Sequence, residues 1–261
     1  NGCKYLNLCP NQVDGNLGLD QASSLIYLKL QKHKAEYSTT FSVSEIELLL
    51  SCHSLQKLSM NSVTLTFDEI TAICNQNGKT LQILDLNGCM IAGSLELQSV
   101  QVIVRNCTNL KEVNFDSTIL SEEAIQYLVE NITPSIELAS LNYVEGLYDD
   151  HIKILVNRCH QLKTLNLAHT LAITSGSLNA IIENLKPSLE QLDIVGTRQI
   201  NPTSLLELRA MPKLQILIVK PGCRQACQVG LTHLNFATLV FLFFLVFLAF
   251  LFFLVFWYWL A

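Results

Sequence analysis

The 261-residue sequence predicts an α/β repeat fold, a horseshoe-shaped solenoid with parallel strands on its concave face and helices on its convex face. Three observations predict it. The pattern Leu-x-x-Leu-x-Leu recurs about every 26 residues. Between copies lie segments that open on helix-capping residues and continue as apolar faces. A cysteine stands three positions before several copies. Together these are the marks of a leucine-rich-repeat solenoid.

The copies begin at Cys3 (CKYLNLC), Leu25 (SLIYLKL), Leu55 (SLQKLSM), Leu81 (TLQILDLNGC), Leu110 (NLKEVNF), Ile136 (the degenerate SIELASLNY), Leu162 (QLKTLNLAHT), Leu189 (SLEQLDIVGT) and Leu214 (KLQILIV). The spacings between successive anchors are 22, 30, 26, 29, 26, 26, 27 and 25 residues. Each copy reads as a short strand whose alternate residues point inward, so stacked copies fill one continuous core. A period in the high twenties leaves room for a true helix on the return leg, whereas about 20 residues leaves room only for 3₁₀ or extended returns.

The return legs carry the expected start signals. Ser121 is placed to cap a helix with Glu122 and Glu123 in its first turn and an apolar face of Ile125, Leu128, Val129 and Ile132. Thr66 can cap FDEITAIC, Ser44 can cap EIELLLSC, and Asp149 or Asp150 can cap HIKILVNRC. Asn201 followed by Pro202 reads as a cap with proline at the first helical position of PTSLLELRAM. Cys52, Cys107 and Cys159 each precede an anchor by three positions, where a small buried hydrophobe suits the tight joint between helix and strand. Their role is expected to be structural, and His53 and His160 follow them by repeat position alone.

Composition narrows the function classes. The net charge is -5 and Lys and Arg form no cluster, so the basic face that nucleic-acid binding requires is missing. Nine cysteines, an odd number with no C-x-x-C pair, fit buried thiols in a reducing compartment, cytoplasm or nucleus. No HExxH, Walker A, GxSxG or Rossmann fingerprint occurs, so no catalytic residue, cofactor or metal site is expected. Cys223 and Cys227 lack companion ligands for zinc. His151, His160 and His169 are evenly spaced by nine but fall on a helix, a loop and a strand end.

A protein or peptide partner is expected on the concave face, where the residues between the leucines project. One row there is Lys29, Ser59, Asp85, Asn114, Ser140, Asn166, Asp193 and Ile218. The next is Gln31, Asn61, Asn87, Asp116, Asn142, Ala168, Val195 and Lys220. The centre is polar and mildly acidic, and the last repeat turns apolar at Ile216 and Ile218 beside Lys220. Two readings are open. The polar residues face water or bond neighbouring strands, or Asp85, Asn87, Asn114, Asp116, Asn166, Asp193, Ile216, Ile218 and Lys220 form a ledge whose acids meet basic groups on a partner.

The repeat domain is expected over 1–222, with a linker at 223–235. Nine of the twelve phenylalanines lie at or after Phe236, and 236–260 carries no charge. As a hydrophobic C-terminal helix it would run about 37 Å, enough to cross a bilayer core of about 30 Å. It reads either as a tail anchor holding the repeats on the cytosolic side or as non-coding sequence translated in frame. The second reading rests on LFFLVF occurring twice and on the T-rich codons this composition implies.

The cysteine-jointed repeat, with NLKEVNF from Asn109, LVNRCHQLKTLNLAHT from Leu155 and PTSLLELRAMPKLQILIV from Pro202, resembles the repeat region of F-box/leucine-rich-repeat proteins, nearest to their S-phase kinase-associated branch. Those proteins are substrate receptors of SCF-type ubiquitin ligases. The likeness is best from about Ser51 to Val219 and fades after Lys220. It implies a non-catalytic receptor that directs bound substrates to ubiquitination and proteasomal degradation. No F-box is visible before the first repeat, so an Skp adaptor and a cullin are expected partners only if an F-box lies upstream. The alternative is a stand-alone repeat scaffold or inhibitor, tethered to a membrane if the tail is an anchor.

Overall fold

The computed structural model describes residues 4–8, 19–31, 40, 43–91 and 96–219. Its strands, in chain order, are β1 (Tyr5–Leu8), β2 (Tyr27–Gln31), β3 (Lys57–Asn61), β4 (Thr64–Leu65), β5 (Ile83–Asp85), β6 (Met90–Ile91), β7 (Glu112–Asn114), β8 (Leu138–Ser140), β9 (Thr164–Asn166), β10 (Gln191–Asp193) and β11 (Ile216–Ile218). Nine of them form one parallel sheet in the order β1-β2-β3-β5-β7-β8-β9-β10-β11, one strand for each repeat copy, including the degenerate one at Ile136. The short strands β4 and β6 pair separately, beyond the ends of β3 and β5. This is the leucine-rich-repeat architecture expected from the period.

The strand register follows the leucine pattern. Leu28, Leu58, Leu84, Val113, Ala139, Leu165, Leu192 and Leu217 lie side by side along the sheet. The anchors Leu25, Leu55, Leu81, Leu110, Ile136, Leu162, Leu189 and Leu214 are all buried in the same continuous core. Each such side chain contributes roughly 1.5–3 kcal/mol when taken fully from water. The core is therefore a ladder of equivalent layers, each held by its two neighbours.

The return legs are helices α1 (Val43–Ser51), α2 (Phe67–Asn77), α3 (Glu96–Asn106), α4 (Glu122–Asn131), α5 (Asp149–Arg158) and α6 (Ser175–Leu185). The longer units hold these α-helices. The two shortest, from Cys3 to Leu25 and from Leu189 to Leu214, hold 3₁₀ helices at Leu19–Ser24 and Ser204–Ala210. The expected α-helix opening at Pro202 is thus corrected. The Asn201 carboxamide does accept from the Thr203 backbone N–H, but the turns that follow, Ser204–Ala210, are 3₁₀.

Thr66 forms a full capping box with Glu69, and Ser121 accepts from the Ala124 N–H, as expected. Two cap assignments change. Ser44 lies inside α1, which begins at Val43. Tyr148 occupies the cap position of α5, and His151, one turn on, accepts from its backbone N–H through Nδ1. Asp149 faces the next repeat instead. It accepts from the Thr174 backbone N–H at 2.8 Å and from the hydroxyls of Thr174 and Ser177 at the start of α6. Gly176 makes room for this carboxylate, since a Cβ there would come within 2.7 Å of it.

Cys52, Cys107 and Cys159 are free thiols sealed in the joints between helix and strand, as are Cys74 and Cys89 elsewhere in the core. Burial pushes the Cys52 and Cys159 thiols up to about 11 and the Cys89 thiol up to about 12. Asn77, fully buried at the end of α2, ties one such joint. Its amide donates to the Cys52 carbonyl and its oxygen accepts from the Leu55 N–H. Among the described residues no helix is long and apolar enough to cross a membrane. Lys220, the linker at 223–235 and the segment 236–260 lie outside the described residues.

Candidate functional site: the concave face

Parallel pairing in register turns each repeat position into a straight row across the concave face. Lys29, Ser59, Asp85, Asn114, Ser140, Asn166, Asp193 and Ile218 form the middle row. Tyr27, Lys57, Ile83, Glu112, Leu138, Thr164, Gln191 and Ile216 flank it on one side. Asn61, Asn87, Asp116, Asn142, Ala168 and Val195 follow two residues after the middle row. Asp85 and Asp193 are four interstrand steps apart, about 19 Å at the usual spacing. They belong to one long ledge and cannot share a single partner side chain.

Several of these side chains hold the frame. Asp85 accepts from the Ser59 hydroxyl at 2.7 Å and from the Asn87 N–H at 3.1 Å. Asn114 accepts from the Asp116 N–H at 2.8 Å. Both oxygens of Asp116 take donors from Asn142, and Asn142 in turn accepts from the Ala168 N–H at 2.6 Å. A polar ladder thus runs from repeat to repeat, satisfying backbone groups that the short strands leave unpaired. Asn166 donates to Ser140, while its Oδ1 is buried without a partner.

Asp193 differs from these. Among the described residues it accepts one hydrogen bond, from the Val195 N–H at 3.0 Å. Burial pushes its carboxyl above the usual carboxylate range against the pull of that bond and of His169, and the charge of Asp116 pushes the same way as burial. The ionised form is therefore disfavoured in this place, and asparagine would accept the same bond without the charge. At the far end of the ledge Ile216 is exposed and Ile218 half-buried.

One feature of the face was not legible in the leucine pattern. Ser62, Gly88, Ser117, Tyr143, His169 and Gly196 all sit three positions past the middle row, and all have positive φ. Two are glycine, which adopts this conformation freely, whereas tyrosine and histidine hold it at a cost of about 1–2 kcal/mol. The Tyr143 and His169 rings stack at 4.4 Å with planes 10° apart. Gly196 continues the row, and a Cβ there would lie 2.5 Å from His169 Nδ1. Of the three evenly spaced histidines, His151 caps α5, His160 is exposed and His169 stacks, so the spacing has no joint meaning. Aligning the copies by position would have put Tyr143 and His169 in one row.

Comparison with known proteins agrees with this geometry. The model of the SKP2 LRR domain matches residues 6–236, a span that takes in the segment expected as a linker. The sequence is 29% identical over 221 residues to the DNA repair protein rhp7 of Schizosaccharomyces pombe, covering 82% of this chain and 36% of that protein. An internalin from Listeria monocytogenes shares the fold with a TM-score of 0.55 at 16% identity, over 89% of this chain and 59% of that one. Rad7 in the yeast Rad7–Elc1 complex does so with a TM-score of 0.55 at 17% identity, over 84% of this chain and 65% of that one. The chain thus spans about a third of its fission-yeast relative and under two thirds of either structural neighbour. With a family match over most of its length and one strand for every repeat copy, the chain belongs to the SKP2 LRR domain family.

Proposed function

We propose that this chain is the substrate-recognition part of an SCF-type E3 ubiquitin ligase, holding a protein substrate on its concave face for ubiquitination and proteasomal degradation. It catalyses nothing itself. An Skp adaptor and a cullin join it where an F-box lies upstream on the same polypeptide. The observation that carries the reading is the family match over residues 6–236. Asp193 supports the concave face as the contact surface, because an acid stands in the middle row where burial opposes its charge and, among the described residues, it accepts one hydrogen bond. Asp85 extends the acidic ledge, and Ile216 and Ile218 supply an apolar end. The substrate segment is accordingly basic and extended. The likeness to a DNA repair protein favours the nucleus.

The test is purification of the full gene product, tagged at its own locus and scored for an Skp-type adaptor and a cullin. Both are expected at near-stoichiometric yield. Their absence overturns the ligase assignment and leaves the stand-alone scaffold or inhibitor.

A further inference from the structure

We propose that the edge of the horseshoe formed by Met90, Ile119, Glu145 and Leu171 is a docking ledge for an amphipathic α-helix of a partner protein, whose apolar stripe is interrupted by one lysine or arginine facing Glu145. This surface lies beyond the C-terminal ends of the strands, and the inference does not depend on what the concave face binds.

All four residues occupy the same place in consecutive repeats, five positions past Asp85, Asn114, Ser140 and Asn166 of the middle row. Repeat-to-repeat hydrogen bonds keep the chain in step up to two residues before them. The N–H groups of Gly88, Ser117, Tyr143 and His169 each donate to the following repeat, at Asp116, Asn142, Ala168 and Val195. Met90, Ile119 and Leu171 are 50%, 65% and 56% exposed. One exposed apolar side chain is ordinary. Three large ones at a single repeat position form a row, and Tyr143, two residues before Glu145, is exposed as well. Arg198, exposed at the same position of the next repeat, ends the apolar run.

Two arguments name the occupant. Neighbouring repeats are about 4.8 Å apart, and an α-helix advances about 5.4 Å per turn. A helix laid along the edge therefore sets one turn beside each repeat, with contacts at i, i+4, i+7 or i+8, and i+11. The third of those contacts meets Glu145, exposed and without an ion-pair partner among the described residues. The row from Met90 to Leu171 holds no lysine or arginine, and the concave rows beside it carry the further acids Asp116 and Asp193. A cation at the third contact is complementary. An acidic helix, a phosphate backbone or an anionic membrane is repelled there.

The test uses a fluorescein-labelled, alanine-based helical peptide with leucine at positions 1, 5 and 12 and arginine at position 8, titrated with the full 261-residue chain and followed by anisotropy. A matched peptide carries glutamate at position 8. The arginine peptide is expected to bind at least fivefold more tightly. Glu145→Lys inverts that preference, and the double change Ile119→Ser, Leu171→Ser weakens both peptides at least tenfold. These side chains are exposed, and circular dichroism confirms that each variant keeps its fold. Equal affinity for both peptides, or a preference that Glu145→Lys leaves unchanged, overturns the proposal. So does binding that survives the double serine change yet is lost in Asp85→Asn, Asp193→Asn, since the peptide then sits on the concave face.

Discussion

Replacing Asp149 by alanine should loosen the joint between α5 and α6 more than any exposed change nearby. Burial pushes the Asp149 carboxyl up, but hydrogen bonds from Ser177 and Thr174 outweigh it and leave it below the usual carboxylate range. Each hydrogen bond to a charged acceptor contributes about 1.5–3 kcal/mol, and water reaching this half-buried place recovers part of the loss. The net cost of Asp149→Ala is then about 2–4 kcal/mol. Asp149→Asn keeps one acceptor and should cost about half as much. Asp150→Ala is the control. Asp150 is 85% exposed and pairs with Lys153, itself 48% exposed, so the change should stay within about 0.5 kcal/mol. Because the folded carboxyl lies below its unfolded value, its contribution is full above about pH 4 and is lost as pH falls through the folded value. Urea unfolding followed by circular dichroism at pH 7 and pH 3 measures both effects. An Asp149→Ala cost below about 0.5 kcal/mol, or a gap that does not narrow at pH 3, would refute the staple.

Asp193→Asn should match or exceed the wild type in stability at pH 7, by up to about 1 kcal/mol, while weakening a basic partner. A raised folded carboxyl penalises the fold above that value and ceases to do so below the unfolded one, so the gain should vanish in urea titrations at pH 3. Gly196→Ala should cost about 1–3 kcal/mol in thermal unfolding, since alanine is strained at φ 77° and its Cβ runs into His169. Iodoacetamide at pH 8 should leave Cys52, Cys89 and Cys159 unmodified in the folded chain and label them in urea, read by peptide mass spectrometry; native labelling contradicts the sealed joints. Thr66→Ala removes the capping box of α2 and should lower stability by about 1 kcal/mol in the same urea assay.

The repeat frame was legible because it depends on local periodicity. The anchors from Leu25 to Leu214 set strand, face and register at once, since a one-residue slip would turn every leucine to solvent. Ser121 and Thr66 cap as expected because capping is a contact within four residues. Asp149 has the same local signature, and its partners are instead a repeat away, where Gly176 leaves space that no local pattern reveals. Asn77 carries no local signature for the same reason, since its two bonds reach back to Cys52 and Leu55. On the concave face the rows were readable from alternation, but the division of labour along them was not. Asp85 is spent on Ser59 of the preceding strand, while Asp193, in the same row, accepts among the described residues from the Val195 N–H alone. Local sequence distinguishes these two poorly, because the difference lies in what the preceding repeat offers.

Selection of the substrate by the concave face is tested most directly by quantitative purification of the tagged full-length product, wild type against Asp85→Asn, Asp193→Asn. Asparagine retains an acceptor oxygen at each position and removes the charges. The expected result is at least a fivefold loss of substrate-type partners with the adaptor and cullin retained at wild-type yield. Full retention of every partner by the double variant, with its fold intact, would contradict substrate selection by this face.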